Sequence, residues 1–167
     1  MISCFIYHSP YYNIPVLIST LFFDLDDTLY ATNSGMMQEI SQRMSEYMVT
    51  RVGISRDDVD RQRKDYWARY GTTLRGLYIE RQIEPHAFLD FVHAVNVEGY
   101  LRLDARLDAM LAQLPQTKSI FTNAPGNYAR RVMRALGVER YFDQIFDIHF
   151  IDYASKPNQH AYDKVVA

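Results

Sequence analysis

Apolar residues run without alternation from Val16 to Leu25 (VLISTLFFDL), most of them aromatic or branched, which is the pattern of a strand buried on both faces of a parallel sheet. The run ends in acid. Asp24, Asp26 and Asp27 stand where that strand would emerge, the end of an open α/β sheet at which ligands bind. Downstream the period changes. Met36, Met37, Ile40, Met44, Tyr47, Met48 and Val49 recur at helical spacing between Gly35 and Val52, and Gly53 supplies a stop. A second helix is predicted from Ser55, as its cap, to Tyr70, with Asp57 and Asp58 in its first turn and Gly71 at its end. Leu74 to Arg81 and Pro85 to Val95 predict two shorter helices, the latter with Phe88, Leu89, Phe91 and Val92 on its apolar side. Residues 35–99 form an all-helical block.

Helix and strand then alternate. Asp104 to Leu114 carries Leu107, Met110, Leu111 and Leu114 on one face, Pro115 stops it, and Lys118 to Phe121 (KSIF) follows as a short buried strand. Tyr128 to Leu136 is amphipathic and closes on Gly137; a third strand is predicted at Gln144 to Phe146, and Lys156 and Pro157 open a last helix. Strand, helix, strand, helix, strand predicts a parallel sheet with right-handed crossovers.

Composition narrows the class without choosing a function. At 167 residues, with 48% hydrophobic and 23% charged, the chain excludes disorder and fibrous repeats. Eighteen basic against twenty acidic residues give a net charge of -2, so no basic footprint marks a nucleic-acid polymer as partner. No apolar run reaches the eighteen residues of a membrane span, and no membrane partner is expected. The lone Cys4 has no disulfide or metal-sharing partner; it fits a reducing compartment, and a cytoplasmic location is expected. Met1 to Tyr12 lacks a basic n-region and is broken by Pro10, so residues 1–15 read as a tail or upstream extension.

Three places carry chemistry. An Asp at the end of a buried strand can attack a phosphoryl group and form an aspartyl-phosphate; Asp26, two residues on, is placed to protonate the leaving oxygen and then activate water. An acidic loop after a strand is also a commonplace cap. Thr122, directly after KSIF, offers a hydroxyl and a loop amide to a phosphate, although Thr and Asn are usual turn formers. Lys156 adds a compact cation able to offset repulsion between a carboxylate and a phosphate dianion, although a lone Lys before Pro is more often a solvated surface residue. The order of all three is the informative feature.

FFDLDDTLY, IFTNA and SKP, in this order with a helical insertion after the first, resemble the first three motifs of the haloacid dehalogenase (HAD) superfamily of phosphohydrolases. The resemblance implies a HAD-like Rossmannoid α/β core at 16–33 and 100–167, with an inserted helical cap at 34–99. It implies Asp24 as nucleophile, Asp26 as general acid and base, and Lys156 as stabilising cation. It also implies Mg²⁺ on the Asp24 carboxylate and the Asp26 carbonyl, and phosphate or substrate contacts from Leu25, Thr28, Thr122, Asn123 and Arg75. The acid two residues after the nucleophile resembles the phosphatase branch rather than the dehalogenases. Tyr70 to Tyr78 (YGTTLRGLY), together with FFDLDDTLY and FTNA, is similar to segments of pyrimidine 5'-nucleotidases. That similarity implies a nucleoside monophosphate such as UMP or CMP, with Arg75 facing it and nearby aromatics stacked on the base. The plainer expectation for Trp67, Tyr70 and Tyr78 is cap core. The five histidines show no ligand-like spacing, and His149 is expected nearest the site.

A fourth, acidic motif of the superfamily lies on a strand beyond the helix that Lys156 opens, and this sequence stops at Ala167 before it. Five βα units of about 30 residues each, plus the helical block, exceed the length present. The expectation is an incomplete core whose C-terminal strands are missing and whose first strand becomes a sheet edge. Alternatives therefore stay open: another small-molecule phosphatase acting on phosphoglycolate or a sugar phosphate, an inactive remnant that only binds, and a phospho-acceptor receiver domain, which the inserted helices disfavour.

Overall fold

The computed structural model describes residues 18–167. Cys4 and the expected tail lie outside the described residues. Three strands, β1 (Thr20–Phe23), β2 (Thr117–Phe121) and β3 (Gln144–Phe146), form one parallel sheet in the order β1-β2-β3. Phe23 is level with Ile120, and Ile120 with Ile145, so the C-terminal ends of all three strands open on the same side. Among the described residues β1 pairs with β2 alone.

Burial on β1 differs from the expectation. Phe23 is buried, but Phe22 is 43% exposed, because alternate side chains point to opposite faces and the two faces are unequally covered. On one face Phe23 and Ile120 join Leu111, Val132, Met133 and Leu136 in a continuous core. On the other, the Phe22 ring meets that of Phe146 at 5.8 Å, and Phe121 is capped edge-on by Tyr162.

The helices are α1 (Met36–Thr50), α2 (Val59–Tyr70), α3 (Thr73–Arg81), α4 (Pro85–Val92), α5 (Val97–Tyr100), α6 (Ala105–Ala112), α7 (Gly126–Leu136) and α8 (Gln159–Val166); apart from the four-residue α5, which is not expected, they follow the expected order. Ser55 does not cap α2. Its Oγ accepts from the Asp58 N–H at 3.2 Å and closes a separate turn, so the helix begins at Val59. Thr72, Glu84, Asp104 and Asn158 do act as caps, each accepting first-turn N–H groups with a side-chain oxygen. Asn158, rather than Lys156 and Pro157, therefore starts α8.

A second core joins Tyr47 and Met48 of α1, Tyr66, Leu77, Phe88 and Val92 with Phe121, Ile148 and Ile151 from the sheet and the segment after β3. The other face of α1, through Met36 and Ile40, belongs to the sheet's own core. α1 is thus the beam between the helical block and the sheet. The closest approach in the block is at Gly76 on α3, where a Cβ would lie 2.3 Å from the ring of the fully buried Tyr66.

Candidate active site

The chain leaves β1 at Phe23 and turns at once. Thr28 and Leu29 donate N–H bonds to the Leu25 carbonyl, and Asp27 takes a left-handed φ of 53°, so residues 24–29 form a tight knuckle above the sheet. Leu25 is fully buried and anchors it, while its N–H donates to Asp24 Oδ1 at 2.8 Å. The turn, in place of a continued strand, separates the two acids: Asp24 is exposed, and Asp26 is turned in toward Tyr30 and Tyr128.

Asp24 pairs with Lys156 across the sheet end. Lys156 Nζ lies 2.9 Å from Asp24 Oδ1 and also donates to the Phe121 carbonyl at 2.6 Å, above the Phe121 ring. The Lys156 side chain is 16% exposed and that of Asp24 48%, so the cation is held in place and the carboxylate faces outward. Asn123 fixes the Lys156 backbone from β2's exit loop: Lys156 N donates to Asn123 Oδ1 at 2.8 Å, and Asn123 Nδ2 donates back to Lys156 O at 3.2 Å. Both ends of the Asn123 amide are engaged in this brace.

Thr122 is buried, and its Oγ1 accepts from Ala124 N at 3.0 Å, leaving its own hydroxyl hydrogen unassigned. Thr28 sits half-buried in the knuckle. Arg75 stands apart from Asp24 and Lys156 in its bonding: its guanidinium donates to the Tyr153 carbonyl at 3.3 Å.

Asp26 occupies the opposite kind of place. Its Oδ1 accepts from Tyr30 Oη at 2.7 Å and Tyr128 Oη at 3.0 Å, with no cation beside it. Burial disfavours the carboxylate more than the two phenols favour it, and the pKa is pushed up to about 6. Beside Asp26 a cavity of about 130 Å³ opens between sheet and helices, walled by Met37, Ile40, Met44, Leu74 and Phe88 and edged by Thr72, Asn123 and Ser155.

The histidine of this region is His93, not His149. His93 lines the cavity and packs its ring against Tyr128 at 4.7 Å. Its Nδ1 donates to the Leu89 carbonyl at 2.9 Å, and burial lowers its pKa to about 4, so the imidazole is neutral. His149 instead stacks on His86 at 4.5 Å, and Tyr153 Oη bridges the two rings at 3.2 and 2.9 Å. Of the aromatics expected in the cap core, Tyr70 packs against it, whereas Trp67 and Tyr78 do not. Trp67 is 71% exposed and Tyr78 48%, because Tyr66 and Leu77 fill the interior turns of their helices.

Tyr30, Tyr128 and His93 carry no sequence signal as site residues. Tyr128 and Asp26 are 102 positions apart, and an amphipathic helix accounts for a buried tyrosine without any function.

With this geometry the comparisons agree on ancestry. Residues 18–167 match the model of the haloacid dehalogenase-like hydrolases, and the chain belongs to that family. It is also similar to Phosphate metabolism protein 8 of Saccharomyces cerevisiae, 29% identical over 140 residues, which cover 77% of this chain and 43% of the yeast protein. The chain thus spans less than half the length of this curated relative. Among the described residues no helix is long and apolar enough to cross a membrane.

Proposed function

We propose that the chain is a phosphomonoesterase working through an aspartyl-phosphate on Asp24, with pyrimidine nucleoside 5'-monophosphates as substrates. The carrying observation is the pairing of the outward Asp24 with the anchored Lys156 at 2.9 Å, two residues from a sheltered Asp26. A nucleophile must face solvent to meet its substrate, and a general acid and base serves it best with a pKa raised toward neutral, the direction in which burial shifts Asp26.

Asp24 attacks phosphorus, forming the aspartyl P–O bond while the ester P–O bond breaks toward the leaving oxygen. That oxygen takes the proton of the Asp26 carboxyl. Water then attacks the aspartyl-phosphate and gives a proton to the Asp26 carboxylate, and the departing P–O bond returns the Asp24 carboxylate. Lys156 opposes the repulsion between Asp24 and the phosphate dianion throughout. Thr122, through its free hydroxyl hydrogen, and the knuckle at Leu25 and Thr28 are the proposed phosphate contacts. Asn123 acts at one remove, by fixing Lys156.

The donors fit a hard cation. The Asp24 carboxylate reaches solvent, and among the described residues the Asp26 carbonyl takes part in no backbone hydrogen bond. These two oxygens would hold Mg²⁺, which would supply charge neutralisation on the phosphoryl group. Among the described residues no cluster of three or more His, Cys, Asp or Glu adds to them.

The apolar side chains of Met37, Met44 and Phe88 beside Asp26 favour a leaving group with an apolar face, and the pyrimidine ring is the part of a nucleotide proposed to enter this cavity. Arg75, one residue past the cavity-lining Leu74, is the proposed substrate-facing cation of the cap. Phosphate release from UMP, CMP, phosphoglycolate and a hexose phosphate, each with Mg²⁺, tests this. Preference for the two nucleotides is expected, and preference for either small phosphate overturns the nucleotide assignment.

A further inference from the structure

We propose that Tyr30 and Tyr128 are positioning residues that occupy Oδ1 of Asp26 and so present Oδ2 to the cavity as the oxygen that meets the leaving group. A carboxylate oxygen has two in-plane lone pairs, and here two phenols fill both on the same atom, at 2.7 and 3.0 Å. One donor would leave the group free to swing about it. Two donors from different segments, one just past the knuckle after β1 and one in the first turn of α7, fix the carboxyl plane.

Water does not compete for these bonds, because Tyr30 and Tyr128 are only 7% and 1% exposed. A phenol bonded to a carboxylate oxygen is the donor of that bond, so each hydroxyl gives its hydrogen to Asp26. Asp26 lines the cavity, and with Oδ1 filled only Oδ2 has lone pairs left for a ligand.

The helical block braces the clamp from behind. His93 packs on the Tyr128 ring, and Arg131 of α7 donates to the carbonyls of His93 and Val95, tying the end of α4 to the helix that carries Tyr128. A shift of this part of the block would move the phenol.

The inference rests on the phosphatase reading, and the test separates the two. Tyr30→Phe, Tyr128→Phe and the double variant of the full chain are compared with wild type on an alkyl phosphate, whose leaving oxygen needs a proton, and on p-nitrophenyl phosphate, whose leaving group departs without one. Each single variant should lower kcat on the alkyl ester about tenfold and the double variant roughly a hundredfold, with KM little changed. The first-turnover burst of nitrophenolate should stay within about twofold in all three. Equal losses on the alkyl ester and in the burst, or no loss on either, overturn the clamp. A wild type that hydrolyses neither ester overturns the phosphatase reading and the clamp with it. Because Phe keeps the ring against His93, the variants should fold, and the carboxyl ¹³C resonance of Asp26 should move in each; an unmoved resonance also overturns the clamp.

Discussion

Asp24 and Asp26 are two residues apart on one knuckle, yet they live in different solvents. Asp24 looks outward and is met by a cation; Asp26 looks inward and is met by neutral hydroxyls. The cause is the turn after β1: extended backbone would put residues two apart on the same side, but the bonds from Thr28 and Leu29 to the Leu25 carbonyl and the left-handed Asp27 break that pattern. Chemically identical groups thereby sit in different surroundings: one lies open beside a cation, and the other is desolvated, which raises its affinity for a proton above that of an ordinary carboxyl. Lys156 belongs to the first environment and His93 to the second.

Removing the outward group should have the largest effect. Asp24→Asn is expected to lower phosphate release by at least about a thousandfold, since no other carboxylate shares its position. Retained turnover in a phosphate assay would transfer the nucleophile elsewhere. Lys156→Ala should cost about a hundredfold in kcat/KM, the scale for deleting one donor at a site of developing charge. A loss below threefold would mean that Asp24 works without its cation.

The inward environment should show itself in pH and stability. Asp26 rises from 3.8 to about 6 on folding, so between these values the native state binds more protons than the unfolded one and stability falls as pH rises. His93 falls from 6.5 to about 4, so there the unfolded state binds more protons and stability rises with pH. Each amounts to about 3 kcal/mol, with opposite sign. Wild type should therefore be nearly flat in urea stability between pH 4 and 6.5. Asp26→Asn should unmask a rise with pH, and His93→Phe a fall. Parallel profiles for the two variants would contradict the opposed environments.

The smallest effect returns to the outward pair. Despite its 2.9 Å contact, Asp24 is half exposed, and Asn at this position should change unfolding free energy by less than about 1 kcal/mol. A greater loss in denaturant titration would show that the pair helps to hold the fold together.

Much of this organisation is legible along the chain. The apolar run into Asp24, the KSIF strand and the spacing of Met36, Ile40 and Met44 each depend on a local period, and strands and helices appear where those periods lie. Thr122 and Lys156 follow from order along the sequence. What a local period cannot carry is pairing across distance. The bonds from Tyr30 and Tyr128 to Asp26, and the stacking of His86 on His149, depend on how the segments pack. Phe22 misleads for a related reason: its apolar neighbours mark a buried strand, but exposure depends on what covers each face of the sheet. Ser55 misleads locally, because a turn can use the same hydroxyl as a helix cap. α5, at four residues, is shorter than any helical period can register.

The contact between Gly76 and Tyr66 bears on descent as well as packing. With the ring 2.3 Å from where a Cβ would stand, no side chain can enter position 76 while the tyrosine remains. The exchange has to begin at the ring. A smaller residue at 66 leaves a void that alanine at 76 could then fill, whereas the reverse order passes through a clash. The two positions should therefore change together in related sequences, with the aromatic lost first, so that history at this crossing runs in one direction.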